Sequence, residues 1–315
     1  MSLSAAKHPS DAAPVNRCDA ESDLPHLILM GTGTSVGVPV VGCTCSVCTS
    51  QNSRNQRTRS GVLVRAPDGE FVIDTGPELR LQLLQNRASC IRAAVFTHAH
   101  ADHVMGLDDL RIFSFRLEKQ LLADAERIAA ANGEPFDKDE FRRSGAGSIP
   151  LFCEENVEED IRQIFHYAFA DPTRQAHRFA VPRLTFRRIE PGHAFELLGL
   201  QLVPIRLHHG KLPIVGYRIG DVAFCTDVST IPADSREMLT GLDTLVIDAL
   251  RRKPHPTHMH LAEALKWAER LKPRRTILTH MAHDLDYDSL VGELPDGVEP
   301  GYDGLRIDLS LPISA

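Results

Sequence analysis

Two clusters of side chains in this sequence are of the types that bind metal, and they differ in kind. Cys43, Cys45 and Cys48 form one short run of thiols. His98, His100, Asp102 and His103 fall in the run Thr97-His98-Ala99-His100-Ala101-Asp102-His103. Thiolates favour a closed structural zinc, whereas imidazoles with a carboxylate favour an open catalytic centre and suit zinc, manganese or iron. The chain is therefore expected to carry one metal that holds a loop and others that do chemistry. The imidazole run alone could satisfy one metal. His209, Asp227 and His280, each at the end of a later apolar stretch, extend the set enough for two metals sharing a bridging carboxylate. A pair of metals held that way stabilises both the attacking and the leaving oxygen of a hydrolysis.

What must position these residues is a series of strands. Residues 27–30 run into Gly31-Thr32-Gly33-Thr34-Ser35, which lacks the spacing of a nucleotide-binding loop and reads as a tight turn. Residues 61–65 and 70–73 flank Pro67-Asp68-Gly69, a hairpin signature, and the second strand ends at Asp74-Thr75-Gly76. Leu79, Leu83 and Leu84 suggest a short helix. Residues 93–96 form a buried strand that delivers His98 and His100. Strands over 200–205, 222–226, 244–247 and 276–279 run to His208-His209, Asp227, Asp248 and His280, and a helix over 261–271 is ended by Pro273. Ligand-type residues on the loops after strands can converge on one rim of a sheet.

Between about 115 and 180 the character changes, and this stretch is expected to be a helical insertion. Leu117, Leu121, Ala125 and Ile128 recur at helical spacing until Asn132-Gly133 stops them. Val157, Ile161, Ile164 and Phe165 mark a second helix, with Asn156 and Glu159 as its capping pair. The polar stretch 133–147 lies between the two.

The 315 residues fit one large domain or two small ones, and 43% apolar with 24% charged residues is ordinary for a globular protein. A net charge of −7 implies no broad basic surface and weighs against long nucleic acid as the main partner. Cys18, Cys90, Cys153 and Cys225 are scattered, which is not a disulfide framework and fits a reducing, cytoplasmic setting. The first residues are polar, carry Pro9, Pro14 and Pro25, and have no apolar segment of a secretory signal. No apolar run approaches the length of a membrane span. The expected organisation is a disordered tail over 1–24 and a hydrolase domain over 25–315.

The run from Thr97 to His103 resembles the H-x-H-x-D-H signature of the metallo-β-lactamase superfamily, and Asp74-Thr75-Gly76, His209, Asp227 and His280 fall in that family's order. Gly42-Cys43-Thr44-Cys45-Ser46-Val47-Cys48, His209-Gly210-Lys211-Leu212 and Thr279-His280-Met281-Ala282-His283 narrow the likeness to the PhnP-type phosphoribosyl cyclic phosphodiesterases. The resemblance covers roughly 27–286, apart from an insertion near 118–148 that bears on substrate choice. It implies an α+β four-layer αββα sandwich, the metallo-β-lactamase fold, with the site at one edge of the two sheets.

The resemblance also implies roles. One metal takes His98, His100, His209 and Asp227, and the other takes Asp102, His103, Asp227 and His280, with zinc or manganese in both positions. His209 is preferred to His208 because it directly precedes Gly210-Lys211-Leu212. Asp74 orients a ligand histidine or the turn around it. His283 completes the structural zinc of Cys43, Cys45 and Cys48. His258, in the basic run 251–260, is the general acid or phosphate contact and counts with Asp102 as catalytic; His255 and His260 stay unassigned. The implied reaction is hydrolysis of a small phosphodiester, cyclic or nucleotide-like, by a hydroxide held on the two metals. Small phosphorylated substrates, no long nucleic acid and no membrane are the expected partners, and a homodimer is compatible with the sequence. The alternatives are an RNA-processing nuclease of the same superfamily, a thioester or lactam hydrolase, or a non-catalytic binding module that keeps the fold. A complete ligand set argues against the last.

Overall fold

Strands that are apolar at consecutive positions need cover on both faces, and the computed structural model shows how this chain supplies it. The structure describes residues 24–170 and 180–310, so all of the expected tail except Leu24 lies outside them. The strands β1 (His26–Gly31), β2 (Gly61–Ala66), β3 (Gly69–Ile73), β4 (Ile91–Val95), β5 (Ile149–Cys153) and β6 (Leu184–Arg188) form one sheet. The second holds β7 (Phe195–Leu197), β8 (Leu200–His209), β9 (Leu212–Ile219), β10 (Val222–Cys225), β11 (Thr244–Asp248), β12 (Arg275–Thr279) and β13 (Val298–Pro300). The last strand, β14 (Leu305–Asp308), returns to the first sheet beside β1.

Alternate residues sort onto opposite faces. Leu27, Leu29, Val62, Val64, Phe71 and Ile73 pack inward against Val215, Tyr217, Phe224, Val246 and Ile277 of the second sheet. The intervening Ile28, Met30, Leu63 and Val72 face outward. They are covered by α1 (Leu79–Gln85), α3 (Arg111–Asn132) and α5 (Glu155–Ile164), through Leu79, Leu83, Phe113, Val157 and Ile161. The outer face of the second sheet buries Ala223, Cys225, Leu245 and Ile247 under α6 (Leu261–Leu271) and α7 (Tyr287–Glu293). The layers run helix, sheet, sheet, helix, which is the αββα sandwich expected from the sequence. Burying a Leu, Val, Ile or Phe side chain is worth about 1.5–3 kcal/mol, so three such interfaces supply ample driving force for the fold.

Strands β3 to β6 run parallel, as do β10 to β13. In open parallel sheets, ligands gather outside the carboxyl ends of the strands. Asp74 directly follows β3, His98 lies three residues beyond β4, Asp227 two beyond β10, Asp248 closes β11, and His280 follows β12.

The middle of the chain departs from expectation. Within 115–180, residues 149–153 are not part of a helical insertion but strand β5, paired in parallel with β4 and β6. Ile-Pro-Leu-Phe-Cys is short and carries a proline, which argues against a central strand. The proline is tolerated because the ladder with β4 starts only at Leu151. The expected capping pair is also displaced. Helix α5 has Glu154 at its N-cap with no side-chain cap, so Asn156 and Glu159 sit inside the helix. Gly133 does end α3, in the left-handed conformation (φ 69°), donating to Ala129 and Ala130 carbonyls. The polar stretch after it carries a short exposed helix, α4 (Lys138–Arg143), whose Arg142 lies 3.9 Å from Glu118 of α3 and accepts through its carbonyl from Arg183 at 2.9 Å, while Arg183 pairs with Glu118 at 2.6 Å. Among the described residues no helix is long and apolar enough to cross a membrane.

If β5 is core, truncating its buried Leu151 will cost far more than altering α4. Leu151→Ala should lower unfolding free energy by about 2–5 kcal/mol, whereas the exposed Lys138→Ala should stay within about 0.5 kcal/mol. Urea unfolding followed by circular dichroism compares the two.

Candidate metal centre

The chain leaves β4 under tight control. The Phe96 carbonyl accepts from the buried Tyr217 hydroxyl at 2.6 Å, and the Thr97 carbonyl accepts from Val215 N–H at 3.1 Å. Both donors lie on β9, so the second sheet fixes the exit of the first. His100 then caps a one-turn helix, α2 (Ala101–Val104), which carries Asp102 and His103. This change from extended chain to helix splits the motif. His98 and His100 meet His209 in one group, while Asp102 and His103 meet Asp227 and His280 in another, each with its donor atoms within 4.8 Å of one another.

Asp227 stands between the groups. Its Oδ2 lies 3.2 Å from His103 Nε2 and 3.9 Å from His98 Nε2, and its Oδ1 lies 3.2 Å from His280 Nε2. Asp102 Oδ2 is 3.3 Å from His103 Nε2 and 3.7 Å from His280 Nε2. Ligand atoms about 2.0–2.1 Å from a tetrahedral ion are about 3.3–3.4 Å apart, so the spacing matches. His98 Nε2, His280 Nε2 and Asp102 Oδ2 are buried and have no hydrogen-bond partner. Buried polar atoms are normally satisfied, and the convergence of three unsatisfied ones with Asp227 fits divalent cations.

Neighbouring groups aim the rings. Asp74, in the left-handed region at φ 64°, accepts from Thr97 N–H at 2.9 Å and Thr97 Oγ1 at 2.8 Å. It also meets His103 Nδ1 at 2.7 Å, which turns Nε2 toward Asp227. His98 Nδ1 lies 2.9 Å from Thr97 Oγ1, and His209 Nδ1 lies 2.7 Å from the Thr257 carbonyl. Thr226 donates to Asp227 Oδ1 at 2.9 Å. His280 departs from the pattern, since neither of its ring nitrogens has a hydrogen-bond partner. His209 is buried, while the adjacent His208 necessarily points to the opposite side of β8, which separates the two histidines that the sequence left in competition.

Burial holds His98 well below the usual imidazole range. Burial also pulls down on His103 and His280, but Asp227 and its neighbouring carboxylates outweigh it, lifting His103 well up and His280 to about 9. Burial pushes Asp227 up, and His280 and His103 more than reverse it. The same attraction that raises His103 and His280 holds Asp227 down. A cation does the same job, so its binding releases protons.

The cysteine loop closes as a second centre. Cys43 and Cys45 Sγ lie 3.3 Å from His283 Nδ1, and Cys48 Sγ lies 3.5 Å from it. The Cys48 N–H and then His283 draw the Cys45 thiol down to about 6, whereas burial lifts Cys48 to about 11. The loop joining His280 to His283 is held from beneath by Arg57, which is only 1% exposed. Arg57 donates to the Ala282 carbonyl at 3.2 Å, the Leu285 carbonyl at 2.7 Å and Asn55 Oδ1 at 3.2 Å. Sequence reasoning missed Arg57, because Arg54-Asn55-Gln56-Arg57-Thr58-Arg59 reads as a solvated basic loop. Gly31, where β1 ends and the turn begins, has a steric reason. A Cβ there would lie 1.9 Å from the Arg59 carbonyl. Thr34 N–H of that turn donates to Met281, beside His280. Elsewhere Cys153 and Cys225 are free and buried.

His258 lies at the centre without belonging to either imidazole group. Its Nδ1 is 2.7 Å from Asp248 Oδ2, and its ring stacks on His280 with centroids 4.8 Å apart. Asp227, Asp248, His258 and His280 also have donor atoms within 4.8 Å of one another, but the 2.7 Å contact commits His258 Nδ1 and Asp248 Oδ2 to a hydrogen bond, shorter than the ~3.3 Å between two ligands of a tetrahedral ion. Asp248 was legible only as the end of one more apolar strand; its partner across the loop 249–258 was not. His255 stands next, its ring 5.2 Å from that of His258, and His260 is the N-cap residue of α6 without a side-chain cap.

A family model described as the β-lactamase superfamily domain matches residues 70–133 and 136–281. The chain is 36% identical to a crystal structure of a new diphosphatase from the PhnP family, with a TM-score of 0.76, covering 90% of this chain and 97% of that one. It is 34% identical to a Porphyromonas gingivalis octanoyltransferase over 89% of this chain, yet it spans only half the length of that relative. Zinc-bound PqqB from Methylobacterium extorquens shares the fold at 18% identity, with a TM-score of 0.64 over 90% of this chain and all of that one. The family match over more than half of the chain, joined to this clustering of imidazoles and carboxylates, shows that the protein belongs to the metallo-β-lactamase superfamily of metal-dependent hydrolases and is PhnP-like within it.

Proposed function

We propose that the protein hydrolyses a small phosphodiester, with His98, His100, His209 and Asp227 holding one divalent cation and Asp102, His103, Asp227 and His280 a second. The observation that carries this reading is Asp227, a buried carboxylate with each oxygen facing ring nitrogens. Bound there, two cations would activate water and neutralise charge on the phosphoryl oxygens. The similarity to a PhnP-family diphosphatase supports phosphorus over a thioester or lactam as the centre attacked. The octanoyltransferase likeness covers half of that relative and is not carried over.

The chain's own contribution to the chemistry is a placed proton. Burial pushes the Asp248 carboxyl well up and the His258 imidazole down to about 4, so the low-polarity site opposes net charge on the pair. In the neutral pair one proton lies between Asp248 Oδ2 and His258 Nδ1, and the other is on His258 Nε2. That Nε2–H is the donor for the leaving oxygen, and Asp248 fixes its direction. Asp102 and Asp74 act on the cation positions, the first as a ligand and the second by orienting His103. Cys43, Cys45, Cys48 and His283 hold a structural zinc that clamps the loop carrying His280.

Three outcomes test the reading. Purified, zinc-loaded protein should hydrolyse bis(p-nitrophenyl) phosphate, and a chelator should abolish the turnover; turnover that survives complete metal removal contradicts the proposal. Cys45→Ser should remove one zinc per chain by elemental analysis and lower the melting temperature, at about 2–4 °C per kcal/mol lost; unchanged zinc and melting would show the thiols to be idle. His258→Ala should retain its metals yet lose about 10²–10⁴ in kcat on a diester with an alkoxide leaving group, and much less on a nitrophenyl diester that needs little protonation. Equal losses on both would make His258 a phosphate contact, and loss of a metal would make it a ligand.

A further inference from the structure

The imidazoles of the metal centre are aimed in two ways. His98, His103 and His209 each have Nδ1 held by a neighbour, 2.9 Å from Thr97 Oγ1, 2.7 Å from Asp74 Oδ2 and 2.7 Å from the Thr257 carbonyl. His280 Nδ1 is buried and has no hydrogen-bond partner among the described residues. The direction of that ring is therefore set through its backbone, which takes a left-handed φ of 57°. The backbone is gripped on both sides. After His280, Met281 N–H donates to the Thr32 carbonyl at 2.9 Å, and the Met281 carbonyl accepts from Thr34 N–H at 3.3 Å. Before it, the Leu278 carbonyl accepts from Gly301 N–H at 2.8 Å.

Both grips lead to one short segment. Asp303 Oδ1 accepts from Thr32 N–H at 2.9 Å and Thr32 Oγ1 at 2.8 Å, while its Oδ2 accepts from Thr58 N–H and Thr58 Oγ1, each at 2.7 Å. Thr58 holds the same turn, since its carbonyl accepts from Gly33 N–H at 2.8 Å. Gly301 lets the segment lie this close, because a Cβ there would stand 2.7 Å from the Leu278 carbonyl oxygen and 3.3 Å from Thr32 Cγ2. Hydrogen bonds to a carboxylate are about twice as strong as neutral ones, so Asp303 is a firm clamp on the turn that carries Met281. We infer that Asp303, beyond the last metal-binding residue in the sequence, is a positioning residue of the metal centre, which aims His280 at Asp227 through Thr32 and Met281. The inference rests on the proposed second cation position for its consequence in turnover, but the aim of the ring is measurable by itself.

Zinc-loaded protein, dialysed against rising dipicolinate with bound zinc counted by elemental analysis, reads each metal position. Asp303→Ala should shed one zinc per chain at about 10- to 100-fold lower chelator than the wild type, the usual effect of losing a group that orients a ligand. The thiolate zinc should be unmoved, because Arg57 pins the His283 side of the loop separately, through the Ala282 and Leu285 carbonyls. Asp303→Asn, which keeps one acceptor oxygen, and Thr32→Val, which keeps the Thr32 N–H, should show the same loss to a smaller degree. Long-range proton–nitrogen spectra of the histidine rings give the second readout. The His280 signal, identified by its absence in His280→Gln, should shift or broaden in Asp303→Ala. Leu151→Ala, destabilised at a distant core position, should leave both readouts as in the wild type. Wild-type chelator response and an unaltered His280 signal in both Asp303 variants, or equal weakening of all three zincs, overturns the inference. A wild type that holds zinc only at the thiols sinks the proposed function instead, while the His280 signal still reports on Asp303.

Discussion

A single buried carboxylate organises this molecule. Asp227 sits where the two sheets meet at their carboxyl edge, 2% exposed, with ring nitrogens of His98, His103 and His280 around its two oxygens. An isolated carboxylate in that environment would be neutralised or expelled. It persists because imidazole partners arrive from α2 and from the loops after β4 and β12. Its position therefore requires both sheets, the parallel strands that end at one rim, and the inter-sheet hydrogen bonds from Tyr217 and Val215 that set the exit of β4. Much of the remaining architecture serves to hold partners at that carboxylate against their conformational entropy.

The loop 280–286 shows how distant segments are joined. His280 adopts φ 57°, a conformation costing of order 1–3 kcal/mol that surrounding structure must hold. Arg57 pins the loop through two of its carbonyls, the turn after β1 grips Met281, and His283 meets the three cysteines. In the proposed account the thiolate centre belongs to catalysis only through this geometry. It holds the backbone whose neighbouring residue reaches Asp227.

Legibility in the sequence followed the range of the interaction. The motif from His98 to His103 is local, and its residues do gather as the spacing suggests, in two groups divided by the start of α2. Strand-end residues such as Asp227 and His280 were readable because an apolar run announces each of them. Strand β5 was not, because five residues with a proline carry too little pattern to outweigh the helices on either side. Arg57 was hidden because its burial depends on a loop more than 220 residues away in sequence. The Asp248–His258 hydrogen bond was hidden for a gentler reason. Both residues were visible, but nothing local says that a loop of basic residues folds one onto the other.

The central claim is that Asp227 is shared by two cation positions while the cysteine loop holds a separate one. Anomalous diffraction at the zinc edge, from crystals of the zinc-loaded protein, tests it most directly. The account predicts two peaks about 3.5–4 Å apart, both within bonding distance of Asp227, and a third among Cys43, Cys45, Cys48 and His283. A single peak at the histidine cluster, or two peaks of which only one contacts Asp227, would contradict it.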